Sequence, residues 1–217
     1  MTDKKRIAIY TQDAKLGNEV KGATRYVYLA TLLHEHGYDV DFITSGFQHW
    51  EKRQRDVEHF DAGTDAYAIR FIEEPFYPKN MCPQRIWAHH VVAKRVSEYF
   101  DEHHDYDLIY CQIPPNDVAR EIGKAAHKFN IPFVVDVNDL WPEAFRVAFD
   151  VPVLSDILFA PFYRQAKSVV CATPVLAYRA KQFMLETSFA SLIPALLRML
   201  RRLTSPLVTF GFPMQVR

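Results

Sequence analysis

The stretch Val134–Glu143, VVDVNDLWPE, decides how this chain is read. Phe133, Val134 and Val135 follow Ile131-Pro132, and such an apolar run of β-formers predicts a buried strand of a parallel sheet. Asp136, Asn138 and Asp139 bring polar groups to its carboxyl end, and Trp141-Pro142 ends regular structure there. In open α/β sheets ligands bind beyond the carboxyl ends of the strands. A strand that ends in Asn, Asp, Trp and Glu is therefore expected to border a site. The plainer alternative is an Asx-type turn with Trp141 packed beneath it.

Working upstream, the pattern repeats. Asn116–Phe129 places Val118, Ile122, Ala125, Ala126 and Phe129 on one side of a helix, and Tyr106–Ile113 (YDLIYCQI) precedes it as a strand running into Pro114-Pro115. Ile86–Phe100 is helical by spacing, and the three prolines Pro75, Pro78 and Pro83 make Glu73–Pro83 an irregular loop. Ala66–Ile72 reads as a strand, whereas the charged run Trp50–Glu58 (WEKRQRDVE) reads as solvated surface. Nearer the start, Arg6–Tyr10 and Tyr38–Thr44 are strands flanking a helix that begins near Thr24 and stops at Gly37. Downstream, Val153–Ala166 is expected to be a further apolar helix, and Val169–Ala172 can add a sixth strand. Strands alternating with helices predict a Rossmann-like, doubly wound α/β sheet.

The loop Leu16–Arg25 (LGNEVKGATR) joins the first strand to the first helix. Gly22 permits close backbone approach, and the helix N-terminus behind it favours anions. A Walker A loop is absent, because Gly22 is followed by Ala23-Thr24 rather than by a lysine; so is a Gly-x-Gly-x-x-Gly fingerprint. The paired histidines at 89–90 and 103–104 lack a metal-ligand spacing, so no metal is expected.

Composition narrows the classes. The 217 residues carry 26 Lys plus Arg against 26 Asp plus Glu, with a pI near 7.1, which argues against a nucleic-acid partner. Cys82, Cys111 and Cys171 form no CxxC pair, which suits a reducing cytosol. No run reaches the roughly 18 apolar residues of a membrane span. Residues 168–217 differ from the rest, with one acid, Glu186, against six bases, and with a leucine stripe over 192–203 beside Arg198, Arg201 and Arg202. That stripe is either a basic amphipathic helix on an anionic membrane or the accident of a frameshifted or truncated tail, and the second is the expectation.

The segments RIAIYTQ, KGATRYVYLATLLHEHGYDVDFIT, DLIYCQIPP and IPFVVDVNDLWPE together resemble the N-terminal domain of family-4 glycosyltransferases, over roughly residues 5–167. The likeness is to the fucosamine-transferase-like branch that assembles bacterial surface polysaccharides. It implies the N-terminal half of a GT-B fold, followed by a divergent tail at 168–217, and sugar transfer from a nucleotide-sugar donor to a lipid-linked or saccharide acceptor with retention at the anomeric carbon. It implies no further cofactor. In site terms it implies that Lys21, Gly22 and Arg25 lie against the donor diphosphate, that Pro114, Asn138 and Glu143 hold the acceptor, and that Asp139 is the catalytic anchor. Lys21-Gly22 replaces the usual Gly-Gly, and Asn138-Asp139 replaces a common His-Asp. Nothing after residue 167 resembles the family's donor-binding domain, so the expectation is a chain inactive alone or completed by a second chain. Its place would be the cytoplasm, at the inner face of the cell membrane. The competing expectation is a non-catalytic module that binds a sugar nucleotide or a membrane surface.

Overall fold

The structure is a computed structural model that describes residues 4–17, 19, 24–138 and 168–171. The predicted helix at 153–166 and the leucine stripe at 192–203 lie outside the described residues, as does Trp141. Strands β1 (Arg6–Tyr10), β2 (Asp39–Ser45), β5 (Ala68–Ile72), β6 (Leu108–Ile113), β7 (Phe133–Val137) and β8 (Ser168–Cys171) form one sheet in the order β5-β2-β1-β6-β7-β8. Every pairing is parallel. Two short strands, β3 (Phe47–Gln48) and β4 (Arg53–Gln54), make an antiparallel hairpin after β2. The helices are α1 (Arg25–Glu35), α2 (Pro83–Glu102) and α3 (Asn116–Lys128).

Strand periodicity sorts side chains between two faces. On β1, Ile7 and Ile9 pack with Tyr26, Ala30 and Leu33 of α1, and with Val40 and Phe42 of β2. Ala8 and Tyr10 point the other way, into a core with Val92, Val96 and Phe100 of α2 and Val118, Ile122 and Ala126 of α3. Phe133, Val135 and Val137 of β7 join that second core. Helices therefore cover both faces, and near-continuous apolar strands are what a sheet buried on both sides requires. The doubly wound α/β prediction holds. Helix α1 stops where the sequence says it should: Gly37 sits at φ +87°, and its N–H donates to the His34 carbonyl at 2.8 Å while Tyr38 N–H reaches Leu33 at 3.1 Å.

Two readings need correction. Helix α2 starts three residues before the predicted Ile86, with Pro83 in its first turn, where a missing N–H costs nothing. The stretch Trp50–Glu58 is not simply solvated surface. It contains β4, and Arg55 within it is buried with a side chain only 1% exposed. Its guanidinium donates to both carboxylate oxygens of buried Glu19, at 2.7 and 2.9 Å, and to the carbonyls of Ser45 and Ala14. A charged run read without its partner looks solvated; this one is a latch tying the β1–α1 loop to the hairpin. Among the described residues no helix is long and apolar enough to cross a membrane.

Candidate functional site

Strand order reverses direction between β1 and β6: the chain proceeds outward from β1 to β2 and β5, then returns to β6 and continues to β7 and β8. The loops leaving β1 and β6 therefore diverge and leave a crevice at the carboxyl edge. Thr11 and Gln112 meet at its floor, where the Thr11 hydroxyl donates to the Gln112 side-chain oxygen. The crevice is a cleft of about 640 Å³, lined on one side by Thr24, Arg25, Tyr26, Pro114 and Asn138, and on the other by Asp13, His49, Trp50, Asn80 and Arg85.

Arg25 opens α1 and projects across to the end of β7. Its Nε donates to Asp136 Oδ2 at 3.1 Å and its Nη2 to Asp136 Oδ1 at 2.5 Å, a bidentate pair. Nη2 also donates to Asn138 Oδ1. Asp136 is 1% exposed and takes a further bond from Tyr110 Oη at 2.9 Å, so its charge is fully engaged. Burial first, then the Asp136 charge, push the Tyr26 and Tyr110 phenols far above their ordinary range, so both stay neutral. Arg25 itself is about half exposed, on the cleft wall and at a helix N-terminus, where anions are favoured.

The opposite wall is built by the β3–β4 hairpin. Gly46 N–H donates to the Ile72 carbonyl at 2.7 Å and Arg55 N–H to the Gly46 carbonyl at 2.8 Å, which fixes the hairpin beside the sheet edge. At its tip, His49 places Nδ1 2.7 Å from Tyr77 Oη and 3.6 Å from Asp13 Oδ1. Lys52 Nζ donates to the His49 carbonyl at 2.5 Å and to Asn80 Oδ1 at 2.6 Å. Burial, together with Lys52 and Arg85, holds the His49 imidazole below its usual 6.5, against the opposing pull of Asp13. Underneath, Glu74 is 2% exposed; it accepts from Gln12 Nε2 at 2.7 Å and from the Ser45 hydroxyl, and burial pushes its carboxyl up to about 7.

Of the residues expected at the site, Arg25, Pro114 and Asn138 share this cleft, as convergence from parallel strands requires. Lys21, Gly22, Asp139 and Glu143 lie outside the described residues. Sequence reasoning passed over Asp13, His49, Arg85 and Gln112, and it gave Asp136 no partner. A carboxylate inside an apolar, doubly covered strand was itself a signal, because a buried charge must be paired. Of the paired histidines, His103 stacks on Tyr99 with ring centroids 4.4 Å apart and His104 on Phe129 at 4.1 Å.

No protein-family model matches the chain, and no curated protein matches it. Among solved structures it is similar to UGT89C1 of Arabidopsis thaliana, with a TM-score of 0.53 at 11% identity, over 97% of this chain and 52% of that one. The same plant protein complexed with quercetin gives a TM-score of 0.54 at 10% identity, over 86% and 49%. Complexed with UDP, it gives 0.50 at 11%, over 97% and 54%. The chain thus spans about half the length of the structures it matches. At such identities the likeness shows the fold: the Rossmann-like α/β arrangement found in GT-B glycosyltransferases.

Proposed function

We propose that this chain forms the acceptor-side half of a glycosyltransferase of GT-B architecture, working with a nucleotide-sugar donor and a lipid-linked or saccharide acceptor in the assembly of a surface polysaccharide or other glycan. The observation that carries this reading is the cleft at the reversal of strand order, into which Arg25 from the start of α1 and Pro114 and Asn138 from beyond β6 and β7 converge. The fold shared with half of a protein that has been crystallised with UDP supports it.

Within that reading, Arg25 stands where a diphosphate would meet the first helix, with Lys21 and Gly22 in the loop before it. Its guanidinium plane is held by Asp136 and Asn138, so it meets an anion pre-oriented rather than as a mobile side chain. Pro114, Asn138, Asp139 and Glu143, from the loops after β6 and β7, would hold the acceptor, with Asp139 as its polar anchor. The site of action would be the inner face of the cell membrane, reached by peripheral contact, and a second chain supplying donor contacts is compatible with this role.

Saturation-transfer NMR on the full chain with uridine and guanosine diphosphate sugars tests the reading. Contacts to the nucleotide-sugar protons are expected, and Arg25→Ala should weaken them by about tenfold, the value of one charge-assisted hydrogen bond. No contact with any nucleotide sugar, or contacts indifferent to Arg25, would sink it.

A further inference from the structure

The wall opposite Arg25 is rich in hydrogen-bond donors that the acceptor-side reading leaves without a role. Arg85, in the first turn of α2, lines it, and its Nη1 donates to the Asn80 carbonyl at 3.1 Å while its Nε donates to His89 Nε2 at 3.3 Å. Asn80 brings a side-chain amide to the same wall, and a neighbour fixes which way that amide is turned. Lys52 Nζ has only protons to offer and lies 2.6 Å from Asn80 Oδ1, so the other limb is the NH2 group, which among the described residues no hydrogen bond takes up. His49 follows the same logic. Its Nδ1 is 2.7 Å from Tyr77 Oη and 3.5 Å from Lys52 Nζ. A proton on Nδ1 would face the ammonium protons, so Nδ1 accepts from the Tyr77 hydroxyl and the ring proton sits on Nε2. Among the described residues Nε2 has no partner, and it is not a buried atom. An N–H donor of His49 therefore opens on the cleft.

Charge runs the same way. The segment that supplies Asn80 and Arg85 has no Asp or Glu between Glu74 and Glu98. Burial, then the charge of Arg85, lower the Lys52 ammonium from its usual 10.5, as expected of two cations held close together. Asp13 opposes them from the same wall, but it lies nearest the inward nitrogen of His49, 3.6 Å from Nδ1. Beside these donors stands Trp50, 55% exposed on the cleft wall. Its indole N–H donates to the Asp13 carbonyl at 3.4 Å, and the His49 ring meets it edge-on with centroids 5.2 Å apart. A pinned, exposed aromatic face suits the C–H face of a pyranose.

We propose that the acceptor carries an oxyanion, a carboxylate or a phosphate ester on the receiving sugar, which Arg85, Asn80 and His49 read while Trp50 stacks on the sugar ring; this deepens the glycosyltransferase reading and rests on it. The Arg85 charge attracts the oxyanion, and the Asn80 NH2 and His49 Nε2–H supply neutral donors to its oxygens. Lys52 holds the Asn80 amide in the orientation that makes it a donor. A neutral sugar gains only the stacking. The wall thus selects the acceptor by charge, whereas Arg25 meets the donor on the other side of the cleft.

NMR titrations of the full chain with methyl β-D-glucuronide, glucose 6-phosphate and methyl β-D-glucoside test this. The two charged sugars should shift the Trp50 indole signal and bind at least about tenfold more tightly than the glucoside, an advantage that salt should reduce. Tighter binding of the glucuronide identifies a carboxylate; tighter binding of glucose 6-phosphate identifies a phosphate ester. Asn80→Asp keeps the shape and the pairing with Lys52 but places a negative charge on the wall, so it should abolish the preference and leave glucoside binding unchanged. Arg85→Gln should weaken the charged sugars alone. Equal affinity for charged and neutral sugars, or a preference that survives Asn80→Asp, would overturn the proposal. So would a preference lost in Arg25→Ala but kept in Arg85→Gln, because the anion would then sit on the opposite wall. At pH 7 the 15N signals of the His49 ring, assigned by their loss in His49→Gln, should show a bare Nδ1 and a protonated Nε2; the reverse would remove His49 from the site. None of these measurements needs a nucleotide sugar. Failure of nucleotide-sugar binding sinks the glycosyltransferase reading, whereas intact nucleotide-sugar contacts with no charge preference sink this proposal alone.

Discussion

Two arginine–carboxylate pairs flank the loop that leads into α1, and they differ in one respect. Arg55–Glu19 and Arg25–Asp136 are both bidentate, and in each the carboxylate is buried. The Arg55 side chain, however, is 1% exposed and the Arg25 side chain 48%. Arg55 spends its other donors on the Ser45 and Ala14 carbonyls, closing the guanidinium off from any ligand. Arg25 is anchored along one edge and faces the cleft with the rest. Burial of the cation separates a closed latch from a group left open to the cleft, although the pairs are alike in chemistry.

The largest expected effect comes from breaking the latch. Arg55→Ala leaves the Glu19 carboxylate buried beside two carbonyls that have lost a donor. Removing one partner of a buried pair costs about 3–5 kcal/mol, and urea unfolding of the full chain should register a loss of that order. The double replacement Arg55→Met with Glu19→Leu should recover part of it, because no unpaired charge remains. Recovery should be incomplete, since the Ser45 and Ala14 carbonyls stay without their donor. A single variant as stable as the native chain would show that Arg55 is not the latch described here.

Next in size is a buried carboxylate with no arginine on it. Burial acts to raise the Glu19 carboxyl, but the hydrogen bonds and charge of Arg55 outweigh it and hold Glu19 below 4.5. Glu74, hydrogen-bonded to neutral groups, is instead raised to about 7. Its folded value lies above the unfolded 4.5, so the folded state binds more protons between those limits. The stability contributed by Glu74 is therefore full below about pH 4.5 and lost as pH rises through about 7. The span corresponds to roughly 3 kcal/mol. Glu74→Gln, which can hold the same partners in neutral form, should remove this fall. His89 works in the opposite sense: depressed from 6.5 to about 3, it contributes stability above 6.5 that is lost on acidification. Stability of Glu74→Gln should thus fall toward acid pH, and a variant that instead keeps losing stability from pH 4.5 to 7 would contradict the assignment.

These pairs also mark how far the sequence could be read. The strands were legible because a sheet covered on both faces needs apolar residues at every position, and runs such as RIAIY and FVVDV supply them locally. The helices were legible from their spacing, and the meeting of Arg25, Pro114 and Asn138 followed from parallel topology. What stayed hidden depends on partners distant in sequence. Arg55 lies 36 positions from Glu19, and Arg25 lies 111 from Asp136. A charged residue in WEKRQRDVE has no local signature of burial; only the hairpin, itself two residues per strand, brings it inside. His49 escaped notice for the same reason, since its partners Asp13 and Tyr77 come from either side of it in the chain.

Arg25→Ala comes third. It leaves Asp136 1% exposed with Tyr110 as its remaining donor among the described residues, so it should destabilise the chain. Solvent reaching the vacated position moderates the penalty to about 1–2 kcal/mol, below that of Arg55→Ala. The comparison is sharpened by Arg25→Lys, which keeps the charge but not the fork. It should recover stability better than it recovers contacts to nucleotide sugars in saturation-transfer NMR, since a point charge can pair with Asp136 but cannot hold a fixed plane toward an anion.

The smallest effect tests whether burial, rather than geometry, sets the scale. Lys128 Nζ sits 2.7 Å from Asp101 Oδ1, the same distance as Arg55 Nε from Glu19 Oε1. Judged by separation alone, the two contacts are equal. Yet the Lys128 and Asp101 side chains are 60% and 49% exposed, so water screens the attraction and hydrates either charge once its partner is gone. Holding a long lysine side chain in one rotamer also costs entropy that offsets much of the gain. Lys128→Ala is therefore expected to change stability by no more than about 0.5 kcal/mol, and the small change should shrink further with added salt. A loss close to that of Arg55→Ala would mean that short ion pairs in this protein act alike wherever they sit, and the distinction between latch and open site would then need another basis than burial.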